Sequence, residues 1–154
     1  MVAGVSDSKV GQRPPGAVVA FTTDYAAARE MAIRASGFAI RGRDLNVVLD
    51  YSDASLEVAD ATGVELWEPL DPDYVGEAAE ELRAKLIVEL GAYFGETLRR
   101  NHGGRWGWAA MDGRRVFAFR TDSGLTAFPL NSARKRLRGE DLDSLVLLYQ
   151  LLLR

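Results

Sequence analysis

Large hydrophobic residues recur at four-residue steps through the middle of the chain. Between Asp73 and Asn101 these positions are Leu82, Leu86, Leu90, Phe94 and Leu98. Residues four apart lie on the same side of an α-helix, so this spacing gives one broad apolar face. Gly103 follows the last of them, and glycine is the residue that most often ends a helix. The pattern therefore predicts a long helix over residues 73–101.

Two glycines, Gly91 and Gly95, lie inside this predicted helix. Each costs about 0.5–1 kcal/mol relative to alanine, because glycine loses more backbone freedom when it folds. Together with Ala84 and Val88 they form a strip of small residues along the edge of the apolar face. We therefore expect another element of the fold to pack closely against this strip.

The segment after residue 104 alternates between larger and smaller side chains, which is typical of strands with two different faces. Asp112-Gly113 is a preferred two-residue hairpin turn, and Ser123-Gly124 predicts a second one. Counting outward from these turns puts five aromatic residues on one face of the sheet. Trp108 then faces Phe117, Trp106 faces Phe119, and Phe128 lies beside Phe119. The sequence thus predicts a three-stranded antiparallel meander whose aromatic face is covered by helices.

Shorter helices are predicted on both sides of these elements. A first helix should follow a cap at Thr22 or Thr23 and stop at Gly37, since threonine caps helices and glycine ends them. A second should follow the capping residue Ser52, and a basic helix should follow Asn131. Residues 1–20 lack periodicity and are predicted to form a flexible arm. The expected fold is a single α+β domain over residues 21–154, with a long central helix and a C-terminal helix.

The C-terminal helix is apolar on most of its sides. Eight of the twelve residues from Leu142 to Leu153 are leucine or valine. A helix that packs on one surface needs only about a third to a half of its circumference to be apolar. Two explanations stay open: the helix is central to a monomer, or its excess apolar surface forms a symmetric homodimer.

Composition narrows the possible chemistry. The 154 residues include no cysteine and a single histidine, His102, which excludes disulfides, thiol nucleophiles and sites with several histidine ligands. The start of the chain has no secretory signal pattern, and no run of 18 apolar residues could cross a membrane. Arginine greatly outnumbers lysine, as in proteins from GC-rich bacterial genomes. We expect a cytoplasmic bacterial protein with no cofactor.

The net charge of −3 hides a division along the chain. The segment from Asp44 to Glu96 is strongly acidic, whereas the segment from Arg99 to Arg138 is strongly basic. Either the two segments neutralise each other within one fold, or the basic one offers a surface to an anionic partner. The first interpretation is favoured, and both stay open.

The corner between the long helix and the first predicted strand holds the candidate binding residues Glu96, Arg100, His102 and Arg105. Glu96 and His102 could act as acid and base, but their spacing puts them on different faces. Glu96 has a better partner in Arg100, four residues further on. His102 suits the free carbonyls at a helix end. We interpret Glu96 as a helix-surface or packing residue and assign no catalytic residue.

Two other kinds of site are less favoured. Asp50, Asp53, Glu57 and Asp60 could gather around a divalent cation, but a solvated helix face explains their spacing better. An aromatic sheet face near arginines is typical of proteins that bind single-stranded nucleic acid. Five aromatic residues on three short strands indicate a core instead, and the acidic net charge also argues against nucleic acid. We expect no metal site and no nucleic-acid partner.

Two stretches together resemble the pattern of small uncharacterised bacterial proteins. In these a D-[YF]-S-x-x-S-L helix start precedes a G-A-Y-x-G-E…GG-x-W helix-to-strand corner. This chain matches the first at 50–56 and the second at 91–106, and Pro129 with residues 139–145 fits the end of the pattern. A proline that often follows the serine at 52 is missing. The resemblance implies a shared fold and no activity, although some similar proteins are associated with toxins or immunity.

These observations favour a non-enzymatic binding module whose partner is a protein or a second copy of the chain. The alternative is a small-molecule-binding or hydrolytic enzyme that uses Glu96, His102 and Arg105 around the glycine corner. A pocket in which those three side chains converge would favour the enzyme.

Overall fold

The computed structural model describes residues 20–70, 76–140 and 145–154. The chain combines helices with one antiparallel sheet, which confirms the α+β class. The strands are β1 (Phe21–Thr23), β2 (Arg105–Met111), β3 (Arg114–Arg120) and β4 (Thr126–Ala127). The helices are α1 (Tyr25–Asp44), α2 (Ser55–Trp67), α3 (Glu77–His102), α4 (Pro129–Leu137) and α5 (Leu145–Leu152), and a 3₁₀ turn follows α2 at Glu68–Leu70.

The predicted β2–β3 hairpin is confirmed, residue by residue. Trp106 pairs with Phe119, Trp108 with Phe117, and the turn residues are Asp112 and Gly113. Both turn residues have positive φ, 50° and 75°. This is the conformation that matches the twist of the flanking strands and that Asp-Gly adopts readily. Local turn chemistry is therefore enough to fix this register.

The sheet has four strands, so the prediction of three is wrong. The segment expected only to cap the first helix forms β1, in which Phe21 pairs with Ala109 and Thr23 with Gly107. The cap is Asp24 rather than a threonine, because its carboxylate accepts a hydrogen bond from Ala27 N at 3.0 Å. The described sheet order is β1-β2-β3-β4.

The register of β4 is also one residue away from the prediction. Ala127, not Phe128, lies opposite Phe119. The turn is a three-residue loop rather than a two-residue one, since Thr121 N donates to Leu125 O at 2.8 Å. Gly124 takes a positive φ of 95° in this loop, as glycine does in three-residue hairpins. Phe128 is consequently not part of the aromatic row and stays half-buried.

Three helix boundaries differ from those predicted. Helix α1 continues through Gly37 to Asp44. Its residues Met31, Ala35 and Phe38 are buried on one side, and their packing outweighs the cost of one glycine inside the helix. Helix α2 begins at Ser55, although Ser52 Oγ does accept a hydrogen bond from Ser55 N at 3.1 Å. Helix α4 begins at Pro129 rather than after Asn131, since proline suits the first position of a helix.

Other predictions lie partly outside the described residues. The long helix α3 is confirmed with bounds 77–102, while residues 71–75 are not described. Of the predicted flexible arm, residues 1–19 are not described. Residues 45–51 form neither a strand nor a helix, although the sequence there is compatible with both. In the described ranges, no helix is long and apolar enough to cross a membrane.

The two glycines of α3 meet close neighbours, as predicted. A Cβ at position 95 would lie 2.2 Å from Cζ2 of Trp106, and one at 91 would lie 2.8 Å from Cα of Leu130. The absence of side chains thus lets the Trp106 ring and the start of α4 pack directly on α3. Trp106 and Phe119 are fully buried, whereas Trp108 and Phe117 are half-buried.

Helix α5 lies at the edge of the domain, not at its centre. Leu145, Tyr149 and Leu152 are buried on one side of it. Leu147, Leu151 and Leu153 are 41%, 46% and 41% exposed on the other sides. The central-helix explanation for its apolar composition is therefore wrong, and the homodimer stays a prediction.

Candidate functional site

Glu96 lies beneath the sheet and is completely enclosed. The Nε and Nη2 atoms of Arg99 donate to its two oxygens at 2.8 and 2.9 Å, and the indole Nε1 of Trp106 donates at 3.0 Å. The predicted partner, Arg100, is only a secondary one, with its Nε 3.8 Å from the carboxylate. Glu96 is therefore a packing residue, and the helix-surface interpretation is wrong.

These contacts keep Glu96 ionised. Burial by itself would raise the pKa of Glu96, but the hydrogen bonds from Arg99 and Trp106, together with the two arginine charges, hold this pKa below its usual value. A general acid or base needs a pKa near the working pH and a free path to its substrate. Glu96 has neither property, so its role is to join α3 to β2.

His102 contacts a carboxylate rather than the helix-end carbonyls predicted for it. Its Nε2 lies 3.1 Å from both oxygens of Asp53. The Tyr149 hydroxyl donates to the same carboxylate, and so does Asn101 Nδ2 at 3.2 Å. Burial alone would raise the pKa of Asp53, but the hydrogen bonds from Tyr149 and His102 lower it. Burial and this hydrogen bond raise the pKa of Tyr149.

Arg100 stacks on the ring of Tyr51, with its guanidinium carbon 3.6 Å from the ring centroid. Tyr51 has a backbone φ of 63°, a value that residues other than glycine rarely adopt. Hydrogen bonds hold this residue on both sides, since its N–H donates to the Tyr93 hydroxyl at 2.9 Å and its carbonyl accepts from Asn101 at 2.7 Å. The Tyr51 ring also stacks on Tyr93, with 4.8 Å between centroids.

The two motifs of the sequence pattern therefore build one structure. Tyr93 belongs to the second motif. Its hydroxyl accepts a hydrogen bond from the N–H of Tyr51 and lies 2.6 Å from the hydroxyl of Ser55, and both of these residues belong to the first motif. The Gly95-Glu96 pair of the second motif holds Trp106, its own last residue. Much of the pattern is thus explained by packing.

Arg105 lies on the opposite face of the sheet from Glu96. Its Nε donates to the Thr23 hydroxyl at 2.8 Å, and its guanidinium is 5.3 Å from the ring centroid of Phe21. The structure thus brings Arg100 and His102 to one end of α3, encloses Glu96 and separates Arg105 from the rest. The four candidate residues do not converge on one pocket.

The acidic residues Asp50, Asp53, Glu57 and Asp60 do not gather around a shared cation site. Asp60 is buried, not solvated as predicted, and it accepts from Arg136 Nη2 at 2.9 Å and from Leu145 N at 3.1 Å. Asp53 is engaged by His102 and Tyr149. Among residues 20–70, 76–140 and 145–154, no three histidine, aspartate or glutamate side chains are grouped to hold a metal ion. The Asp60–Arg136 pair also joins the acidic segment to the basic one.

Described residues line at least two open depressions on the surface. One, of about 230 Å³, is lined by His102, Thr121, Asp122, Ser123 and Leu152 among others. The second, of about 640 Å³, lies between α3 and the end of α4 and is lined mainly by charged residues, including Glu77, Glu80, Arg83 and Arg138. Both are open to solvent, unlike the enclosed apolar pockets that hold small-molecule ligands.

No family model, no curated protein and no solved structure matches this chain. The site must therefore be interpreted from its own geometry.

Sequence reasoning missed the partners of the candidate residues. The spacing of Asp53 predicts a solvated helix face or, less favoured, a cation ligand, and nothing in the sequence indicates Tyr149 or Asn101 as its partner. The one available signal was the D-[YF]-S-x-x-S-L motif, which includes Tyr51 and spans Asp53 as one of its variable positions. That motif could not show its partners, since Asp53 and Tyr149 are 96 positions apart.

Proposed function

We propose that this protein is a non-enzymatic binding module and that its partner is a protein. The partner would bind at the end of α3, on a surface made of Tyr51, Asp53, Arg100 and His102, which we name the Tyr51–His102 surface. The observation that carries the proposal is the Arg100 guanidinium stacked 3.6 Å above a Tyr51 ring whose backbone has positive φ.

The rigidity of this surface supports a binding role. A tyrosine whose backbone is in the left-handed conformation costs about 1–3 kcal/mol, and it persists only where the surrounding structure holds it. Here Tyr93 and Asn101 hold the backbone of Tyr51 from both sides. Side chains fixed before binding lose less entropy when a partner docks. The ring of His102 is also fixed before binding, because the carboxylate of Asp53 orients it.

The residue types also support a protein partner. Tyrosine and arginine are enriched among the residues that dominate the energy of protein interfaces. The Arg100 side chain is 40% exposed and that of Asp53 is 52% exposed. A partner must therefore offer both an acceptor for Arg100 and a donor for Asp53, which a mixed protein surface does readily.

The sequence resembles uncharacterised bacterial proteins, and some similar proteins are associated with toxins or immunity, which suggests what kind of partner to look for. A toxin or secretion gene beside the gene for this protein would support that class of partner. A neighbourhood of metabolic enzymes would favour the enzymatic alternative.

A two-stage experiment tests the proposal. Affinity capture from cells that encode the protein identifies a candidate partner, which is then purified and titrated by calorimetry against the wild type, R100A and R114A. Arg114 is an exposed arginine at the start of β3, next to the Asp112-Gly113 turn, and serves as the matched control. We expect R100A to weaken binding by about 2 kcal/mol, as a hot-spot arginine does, and R114A to bind like the wild type. Equal binding by R100A and the wild type would refute this surface.

The hydrolytic enzyme remains the second candidate, for one specific reason. His102 is oriented by Asp53, and it lines the same depression as the hydroxyl-bearing Ser123. An acid, an imidazole and a serine hydroxyl are the three side-chain types that nucleophilic hydrolases use. This version of the alternative uses Asp53 in place of Glu96 and does not use Arg105. Hydrolysis of a small ester by the wild type that both H102A and S123A abolish would support it over the binding module.

A further inference from the structure

Helix α1 carries a regular strip of side chains on the side that is exposed to solvent. The exposed positions of the strip are Arg29, Ile33, Ser36, Ile40 and Arg43. Ile33 is 66% exposed and Ile40 is 48% exposed. Alternating steps of four and three residues keep these positions on one side of the helix, and they are the spacing by which two helices pair in a coiled coil. We name these five residues the Ile33–Ile40 strip.

The other side of α1 is already used by the fold. The buried residues of this helix follow the same spacing and are Met31, Ala35, Phe38 and Gly42. The Arg41 side chain also forms an ion pair with the buried Glu89 of α3. The two isoleucines are therefore presented outward by a helix that the core holds in place.

The two arginines at the ends of the strip have no carboxylate partner. Within the part of the chain that the structure describes, neither Arg29 nor Arg43 forms an ion pair or a side-chain hydrogen bond. Glu30, the acid beside Arg29, binds Arg34 at 2.7 Å instead. Along the helix axis the two arginines are about 21 Å apart, and the isoleucines lie between them. The strip is thus apolar near its centre and positive at both ends.

We propose that the Ile33–Ile40 strip pairs with an acidic amphipathic helix of a partner protein. Such a helix would place an apolar residue against each isoleucine and a carboxylate against each arginine. Ser36 is small, so the two helix axes can approach closely between the isoleucines. Opposite charges across a helix pair select the partner and its orientation. The strip shares no residue with the Tyr51–His102 surface, so the two proposals can be tested separately.

The charges and the size of the strip argue against other occupants. A second copy paired through α1 in antiparallel orientation would place Arg29 of one copy beside Arg43 of the other, and in parallel orientation each arginine would meet its equivalent. Both arrangements bring like charges together, which costs binding energy. Residues 1–19 contain one acidic and two basic side chains, so they supply no complementary charge. A membrane surface requires a broader apolar face than two isoleucines provide.

Two synthetic peptides test the proposal. Each is a stapled helix of three heptads, because an unconstrained helix of that length is marginal in water. Both carry leucine at the positions that would face Ile33 and Ile40. At the positions that would face the arginines, the acid peptide carries glutamate and the base peptide carries lysine. We expect fluorescence anisotropy at physiological ionic strength to show saturable binding of the acid peptide to the full-length protein, and binding of the base peptide that is weaker by at least about tenfold.

Charge reversal makes the assignment specific to this strip. R29E/R43E should prefer the base peptide, because reversing both partners restores the opposite charges. I33S/I40S should bind the acid peptide at least about tenfold more weakly than the wild type, because the apolar contact is lost. All four substituted residues are exposed, so both variants should fold, and circular dichroism checks this.

R114E/R115E is the matched control for charge, because it changes the net charge equally at two exposed arginines of β3. It should keep the wild-type preference for the acid peptide. Equal binding of the two peptides by the wild type would overturn the proposal. Absence of saturable binding would do the same, and so would a preference that R114E/R115E also reverses, since that indicates attraction by net charge alone.

Two further measurements identify the other occupants. A wild-type dimer in sedimentation velocity that I33S/I40S dissociates would assign the strip to a second copy. Sedimentation of the wild type, but not of I33S/I40S, with vesicles of phosphatidylserine and phosphatidylcholine would assign it to a membrane. Either result would overturn the helix partner, and we expect neither.

Discussion

The indole nitrogen of Trp106 donates a hydrogen bond of 3.0 Å to the carboxylate of Glu96, and neither residue is exposed to solvent. Gly95, the residue before Glu96, leaves the space in which the Trp106 ring lies. The contact joins the C-terminal half of α3 to the first long strand of the sheet. Because Arg99 binds the same carboxylate, the charge of Glu96 is compensated where it is buried.

Shortening Trp106 should separate the loss of packing from the loss of the hydrogen bond. We expect W106A to lower the free energy of unfolding by about 3–5 kcal/mol, as removal of a buried aromatic side chain does. W106F keeps much of the ring but leaves Glu96 without one donor, which should cost about 1.5–3 kcal/mol. Urea denaturation followed by circular dichroism measures both. The half-buried Trp108 is the control, and a W108F effect as large as that of W106F would contradict this account.

Two glycine-to-alanine variants should change stability in opposite directions. In α3, G95A places a methyl group 2.2 Å from the Trp106 ring, and the forced displacement should cost about 1–3 kcal/mol. In α1, G37A meets its nearest atom, a carboxylate oxygen of Glu89, at an ordinary 3.5 Å. That variant should gain about 0.5–1 kcal/mol from reduced backbone entropy. Thermal unfolding of the two variants checks both signs, and stabilisation by G95A would show that the ring position is not fixed.

The buried carboxylate also predicts an acid dependence of stability. The pKa of Glu96 is lowered in the folded protein, against the effect of burial, by Arg99 and Trp106. Its contribution is therefore present above the unfolded-state pKa of about 4.3 and is lost as the pH falls through the folded-state value. The difference in free energy of unfolding between the wild type and E96Q should shrink as the pH falls below about 4. Urea titrations across the acidic range measure it, and a gap that is constant with pH would contradict the assignment.

The exposed side of α5 predicts self-association. Leu147, Leu151 and Leu153 are between 41% and 46% exposed, and Leu147 and Leu151 are four residues apart on one side of the helix. We expect sedimentation velocity to show a dimer at micromolar concentration. L151K should give a folded monomer, since the position is not part of the monomer core, while a lysine in the exposed but distant position 82 (L82K) should leave the dimer intact. A monomeric wild type at that concentration would refute the prediction.

Elements governed by short-range rules could be predicted from the sequence. The four-residue spacing of Leu82, Leu86 and Leu90 predicted α3, and Asp112-Gly113 predicted the pairing of β2 with β3. In both cases the deciding interactions connect residues close in sequence, so the signal is contained in a short window. The glycines of α3 likewise predicted a close neighbour, although they did not identify it as Trp106.

The tertiary structure decided what depends on partners distant in sequence. Strand β1 exists because Phe21–Thr23 pairs with a strand more than eighty residues away. Helix α1 passes Gly37 because burial of Phe38 and its neighbours outweighs a local cost of about 1 kcal/mol. His102 contacts Asp53 rather than its own helix end because the loop before α2 brings that carboxylate within 3.1 Å. Spacing and turn chemistry therefore determined the helix and the hairpin, whereas the environment of each charged side chain was set by which distant segments pack together.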